Sequence, residues 1–158
     1  MKYREATSLN HVADFHDLFD APVLASPTVP AEDRCQLRVN LLQEELDELK
    51  ESIAQNDIVG IADALGDIQY VLSGAILEFG LAHRFADVFD EIQRSNMSKA
   101  CKSLEEAERT AHYFKIEKGV ETKIVQKGEL YLVYRISDNK VLKSVEYSAA
   151  DIEGKLRN

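Results

Sequence analysis

The sequence predicts a mainly α-helical protein, a bundle of four or five helices with a small C-terminal β-hairpin or meander. Three observations lead there. Apolar residues recur at helical spacing through the first two thirds of the chain. Pro22, Pro27 and Pro30, the chain's three prolines, fall in one short stretch. Beyond Gly119 the composition turns to β-branched and aromatic residues around Lys127-Gly128, a hairpin-turn pair. The expected division is a helical domain over 1–118 and a β-rich appendage over 119–158.

Ser8 or Asn10 is placed to cap a first helix carrying Val12, Phe15, Leu18 and Phe19. Phe15-His16 has two readings: a core Phe beside a surface His, or a flat wall for a nucleobase. Residues 20–30 form a proline-marked loop. Ala31-Glu32-Asp33 then opens a long helix, its acids favourably in the first turn. Leu42, Leu46, Leu49 and Ile53 form one apolar stripe of that helix. The chain breaks near Gln55-Asn56-Asp57. A second long helix over 58–79 is apolar nearly all round, with Ile61, Leu65, Ile68, Val71, Leu72, Ile76 and Leu77, which places it in a core.

The stretch 44–67, EELDELKESIAQNDIVGIADALGD, spans the junction of these two helices. Glu44, Glu45, Asp47, Glu48, Glu51, Asp57, Asp63 and Asp67 are acidic and Lys50 alone is basic. Asp47 and Glu51 lie opposite the apolar stripe, as solvating acids should. Glu45 and Glu48 instead interleave with Leu37 and Leu41 beside it, where carboxylates are costly unless paired. Arg38 lies on the side of Glu45 and either pairs with it or reaches a phosphate. Asp63 and Asp67 share one face of an apolar helix, four residues apart, where like charges repel. An EExxE run alone is ordinarily a solvated face. Together with the aspartate pair it points to a carboxylate cage for a divalent cation, because hard cations take several oxygen ligands. Gly60 and Gly74 fall on the same side and are expected to leave room for the cation and a phosphate chain.

EELDE, fourteen residues and then DALGD resemble the all-α nucleotide pyrophosphohydrolases of the MazG-like group, whose superfamily includes phosphoribosyl-ATP pyrophosphohydrolase and the dimeric dUTPases. The resemblance covers most of residues 1–100. It implies that Glu45, Glu48 and Asp67 are metal ligands, with Mg²⁺ the cofactor and Mn²⁺ a substitute, and that Glu44 handles the attacking water. The family's ExxD pattern places Glu where this chain has Ala64, and Asp63 is the neighbouring substitute. The resemblance also implies a nucleotide substrate cleaved to monophosphate and pyrophosphate, a homodimer or higher oligomer, and a Phe-His pair like Phe15-His16. Within it, phosphoribosyl-ATP-type activity stays open. So does a non-catalytic metal- or nucleotide-binding module, and outside it a helical scaffold whose acidic face meets a basic partner.

A further helix is expected from about His83 to Arg94, burying Phe85, Val88, Phe89 and Ile92. The following RSNxxK-like segment, residues 94–99, also matches the family and implies substrate contacts from Asn96 and Lys99, the latter as a point charge for phosphate. Ser103-Leu104-Glu105-Glu106 is a capping box opening a helix to about Tyr113 or Lys115. Strands are expected over 122–126 and 130–136, a third over 141–145, and a weak helix or tail over 148–156. The C-terminal part reads as lid, dimer contact or end cap.

With 158 residues the chain is long enough for a real core. Its net charge of −9 argues against nucleic acid or anionic membrane as the main partner. The N-terminus lacks the apolar run of a signal peptide, and Cys35 and Cys101 read as free thiols, so a cytoplasmic location is expected.

Overall fold

The computed structural model describes residues 3, 4 and 6–157. Those residues form α1 (Ser8–Leu18), α2 (Glu32–Ala54), α3 (Ile58–Glu78), α4 (Phe85–Met97), α5 (Leu104–Lys118), β1 (Thr122–Lys127), β2 (Leu130–Arg135) and α6 (Ile152–Arg157). The protein is thus mainly helical with one small antiparallel hairpin near its C-terminus. No helix among the described residues is long and apolar enough to cross a membrane. The chain divides into two compact units, Met1–Phe85 and Ala86–Asn158.

In the first unit α2 and α3 form the most extensive helix pair, and α1 packs on α3. Asn56, at φ 55°, breaks the helical run in the left-handed region. Asp57 then caps α3, its carboxylate accepting a hydrogen bond from Val59 N at 3.0 Å. At the far end Gly80 takes φ +68° and Leu81 N donates to Ile76 O at 2.9 Å, a left-handed helix stop. The proline loop lies along this end. Leu24 N and Thr28 N donate to Leu77 O and Phe79 O at 3.1 and 3.0 Å.

The core of this unit is partly ionic. Beside buried Val12, Ala64, Ile76 and Leu77 lies Glu78, 1% exposed. Arg34 Nε donates to one of its oxygens at 2.5 Å and Arg38 Nε to the other. Burial pushes the Glu78 carboxyl pKa up, but the hydrogen bonds and charges of the two arginines outweigh it and hold the carboxyl below its ordinary value.

The apolar stripes sit differently from expectation. On α2 the half-buried residues are Arg34, Cys35, Leu41, Leu42, Glu45, Leu49 and Ser52, whereas Leu46 and Ile53 are exposed. On α3 the buried residues are Ala64 and, from Ser73 on, most of the C-terminal part, whereas Ile58, Val59 and Leu65 face outward. On α1 Phe15, Leu18 and Phe19 are exposed.

In the second unit α5 packs against both strands. Cys101, Ala107, Val133 and Leu142 form its buried cluster, flanked by Ala111, Phe114 and Ile124. Ser103 caps α5 as expected, its Oγ accepting from Glu106 N at 3.1 Å, but the Glu106 carboxylate reaches back one residue further than in a capping box, its Oε2 accepting from Lys102 N at 2.8 Å. The hairpin pairs Thr122 with Arg135 through Lys127 with Leu130, around Gly128 at φ +63°. The expected third strand is a single bridge, Val141 to Tyr134. On α4 the expected stripe is largely outward, with Phe89 and Ile92 exposed, and the buried residues are Glu91 and Ser95. Glu91 accepts two bonds from Arg94 and one from Asp151 N, so α4 is tied to the C-terminal segment by polar contacts.

Candidate carboxylate site on the paired helices

The register of α2 against α3 follows from three contacts. A side-chain atom added at Gly60 would meet Ser52, one at Gly74 would meet Arg38, and Glu78 meets Arg34. Each step forward on α2 is therefore matched by a step back on α3. The same register sets Glu45 level with Asp67, and Glu48 level with Ala64.

Glu45 is half-buried, and Glu44, Glu48, Asp63 and Asp67 are exposed. None of these five carboxylates has an ion-pair or side-chain hydrogen-bond partner among the described residues. Lys50, the basic residue of the stretch, is engaged on the outer face by Asp47 at 2.7 Å. Desolvation pushes the Glu45 carboxyl pKa up, and the charges of Asp67, Glu48, Glu44 and Asp63 push it further, in that order. One half-buried carboxyl thus feels acids from both helices. Among the described residues no group of three or more His, Cys, Asp or Glu side chains is arranged as a metal site. The donor chemistry still fits a hard divalent cation, being all oxygen, multiply negative and free of a competing internal cation. Ala64, at the position of the missing family glutamate, is 1% exposed and turned inward, whereas Asp63 is exposed. Asp63 also contributes the weakest of the four neighbouring charges at Glu45.

Two expectations about this face are corrected. Gly60 and Gly74 do not leave space for a ligand. An added Cβ would lie 2.6 Å from Ser52 Oγ at the first and 2.7 Å from Arg38 Nη1 at the second, so the protein's own side chains occupy that room. Arg38 pairs with Glu78 and not with Glu45. It is buried, as is His16 at 3% exposure, so the reading of a surface His beside a core Phe is inverted. His16 Nδ1 lies 2.9 Å from Pro22 O, and its Nε2 lies 3.4 Å from Arg38 Nη2. A carbonyl only accepts and a guanidinium only donates, so Nδ1 donates to Pro22 O and Nε2 faces the guanidinium as an acceptor.

Phe15 stays outside, 4.4 Å from the Phe19 ring and 5.8 Å, edge to face, from Tyr70. Tyr70 also lines a cleft of about 630 Å³ with Arg4, Thr7, His11, Gly66 and Gln69. Gly66 has nothing within 4 Å of an added Cβ and is the open glycine beside Asp67. The sequence reading missed this cleft. Its signal was the spacing of Gly66, Gln69 and Tyr70, three and four residues apart on one helical face. Asn96 and Lys99 belong to the second unit, where Lys99 Nζ donates to Asn96 Oδ1 at 2.7 Å.

Comparison with known proteins bears on this arrangement. The family described as phosphoribosyl-ATP pyrophosphohydrolase matches residues 12–96. The match contains all five acids and ends at Asn96, short of Lys99. Uncharacterized protein L479 of Acanthamoeba polyphaga mimivirus is 38% identical over 63 residues, covering 37% of this chain and 25% of that protein. The chain therefore spans about a quarter of the length of that curated relative.

Proposed function

This chain belongs to the phosphoribosyl-ATP pyrophosphohydrolase family, and on that premise we propose that it is a Mg²⁺-dependent nucleotide pyrophosphohydrolase, cleaving a nucleoside triphosphate-type substrate to the monophosphate and pyrophosphate. The observation that carries this reading is Glu45, a half-buried carboxyl under the combined field of Asp67, Glu48, Glu44 and Asp63. Oxygen donors on two packed helices are the ligand type that a hard cation on a phosphate chain requires. Glu45, Glu48 and Asp67 would hold Mg²⁺, or Mn²⁺ in its place, with Asp63 at the margin. The bound ion would neutralise phosphate charge and make a water more acidic. Glu44, exposed and one residue round the helix from Glu45, accepts the proton of the water that attacks the α-phosphorus. The bond to the β-phosphate breaks and pyrophosphate leaves with its electron pair.

Phe15 and Tyr70, edge to face, each offer the base a ring to stack on beside the cleft at Gly66, while Arg38 and His16 support that wall from within. Asn96 and Lys99 remain candidate substrate contacts on the strength of the family resemblance. Exposed Leu46, Ile53, Ile58 and Leu65 on the paired helices support a homodimer or higher homo-oligomer. The free thiols Cys35 and Cys101 suit a reducing cytoplasm.

A non-catalytic metal- or nucleotide-binding module is the second reading, favoured by Ala64 in place of the family glutamate. A panel of nucleotides, phosphoribosyl-ATP included, incubated with Mg²⁺ separates the two. Release of pyrophosphate with the monophosphate from any member supports the enzyme. Release from none, with nucleotide bound, supports the module.

A further inference from the structure

A second cavity, of about 650 Å³, lies within the second unit and outside the residues matched by the family. Its walls carry Tyr113, Phe114 and Lys118 from α5, and Lys143, Val145 and Tyr147 from the segment after the hairpin. Three aromatic rings and two ammonium groups line it, and among the described residues no carboxylate does. That is unusual in a chain of net charge −9. Three of the acids of this unit are engaged by other groups, whereas Glu117, beside Lys118, is exposed. Glu146 is paired with Arg109 at 2.9 Å, Glu121 with Lys115 at 3.7 Å, and Glu106 is bound by Ser144 Oγ and Lys102 N. Lys143 Nζ sits 4.2 Å over the Tyr147 ring, and neither it nor Lys118 has a carboxylate partner among the described residues.

The cavity is also rigidly built. Val145 N donates to Thr110 Oγ1 at 3.1 Å, Ser144 is held by Glu106, and the Tyr147 hydroxyl is 2.9 Å from Ser95 Oγ. Thr110 is fully buried. Walls fixed before binding lower the ordering cost a ligand meets. The volume is in the range of small-molecule sites.

We propose that this cavity binds a planar aromatic anion, with the ring against the aromatic walls and the negative charge on Lys118 and Lys143. A nucleoside monophosphate and an aromatic carboxylate share that chemistry. The proposal does not depend on the hydrolase reading.

The chain has six tyrosines and no tryptophan, so fluorine NMR of the full chain labelled with 3-fluorotyrosine reports on the site directly. Tyr113→Phe and Tyr147→Phe assign the two resonances. The labelled protein, in EDTA, is titrated with AMP, 4-hydroxybenzoate, adenosine and inorganic phosphate. The expected result is a saturable shift of both resonances by AMP or by 4-hydroxybenzoate, at a concentration at least about tenfold below that needed with adenosine or phosphate. Which of the two anions binds identifies the source. Lys143→Ala or Lys118→Ala should weaken binding by about tenfold or more. Val145→Trp, which fills the cavity, should weaken it with the circular dichroism unchanged, and Asp67→Asn should leave it intact. No saturable shift with either anion to roughly 10 mM, binding of adenosine as tight as that of the better anion, or a loss in Asp67→Asn matching that in Lys143→Ala would overturn the proposal.

Discussion

Glu78 carries the densest polar burden of any side chain in the first unit, buried under two guanidinium groups. Removing one partner of a buried ion pair typically costs about 3–5 kcal/mol, because the other charge is left unmatched. Glu78→Gln should therefore lower the thermal midpoint by on the order of 10 °C. Glu51→Gln, on the exposed face, should move it by less than roughly 2 °C. Comparable shifts in the two would refute the buried centre. The depressed Glu78 carboxyl adds a pH dependence: its contribution is present above the ordinary glutamate range and is lost as pH falls below it. Glu44 tests the chemistry at the same scale. Glu44→Gln keeps size and hydrogen bonding but cannot take a proton, so turnover should fall by about 10²–10⁴ while Mg²⁺ and nucleotide still bind. Calorimetry beside steady-state kinetics decides, and collapse of metal affinity would make Glu44 a ligand. The sequence pointed correctly to Glu45 as an acid on a packed face. It gave the wrong partner to Arg38, because Glu78 is 40 residues away and looks like an ordinary helix-end acid. Phe15 and His16 were exchanged for the same reason: the bonds that bury His16 come from Pro22 O and Arg38, which no local pattern displays.

Boundaries of α2 and α3 were legible because their signals are local: Glu32 and Asp33 in the first turn of α2, and the polar break at Gln55-Asn56-Asp57 between the two helices. The rotation of each helix was not, since it depends on what packs across from it. Leu46 and Ile53 belong to a good stripe by spacing and yet face outward, while Glu45 faces α3. A half-buried acid raised by its neighbours has a consequence for stability. Its folded-state pKa lies above the unfolded one, so protonation favours the fold as pH falls into that window, and ionisation at neutral pH opposes it. Glu45→Gln should thus stabilise the metal-free protein, by about 0.2–0.5 kcal/mol for each like-charge pair relieved, and so raise its melting temperature. It should also reduce the gain in melting temperature that millimolar Mg²⁺ gives the unaltered protein, a gain that follows from mass action. A lower metal-free midpoint in Glu45→Gln would contradict the clustering. In the second unit, the hydrogen bonds from Arg94 and Asp151 N hold Glu91 at about 2, against the opposing effect of its burial. The contribution of Glu91 to the tie between α4 and the C-terminal segment is therefore complete above about 4.5 and is lost as pH falls through about 2. The protection of the Asp151 amide against hydrogen exchange, taken relative to its intrinsic rate at each pH, should fall across that interval, and in Glu91→Gln it should be low already at neutral pH.

At the scale of the molecule, the sequence conveyed the helical class, the C-terminal hairpin and the acidic pair of helices. It overstated how much apolar surface one copy of the chain buries. The outward Phe89 and Ile92 on α4, with Leu46, Ile53, Ile58 and Leu65 on the paired helices, satisfy helical periodicity without finding a partner inside their own unit. Periodicity records that a face is covered but not by which chain. Light scattering at micromolar concentration should give at least twice the 17.8 kDa chain mass, and a monomer would contradict that account of the exposed faces. The central claim, that acids of α2 and α3 direct water to the α-phosphorus of a nucleotide, is tested most directly by hydrolysis in ¹⁸O-labelled water. Phosphorus NMR then locates the label on the products of the best substrate. The account predicts ¹⁸O in the nucleoside monophosphate and none in the pyrophosphate, formation of both abolished by EDTA and by Asp67→Asn, and retained in Glu51→Gln. Label in released phosphate or pyrophosphate, or undiminished turnover by Asp67→Asn, would contradict it.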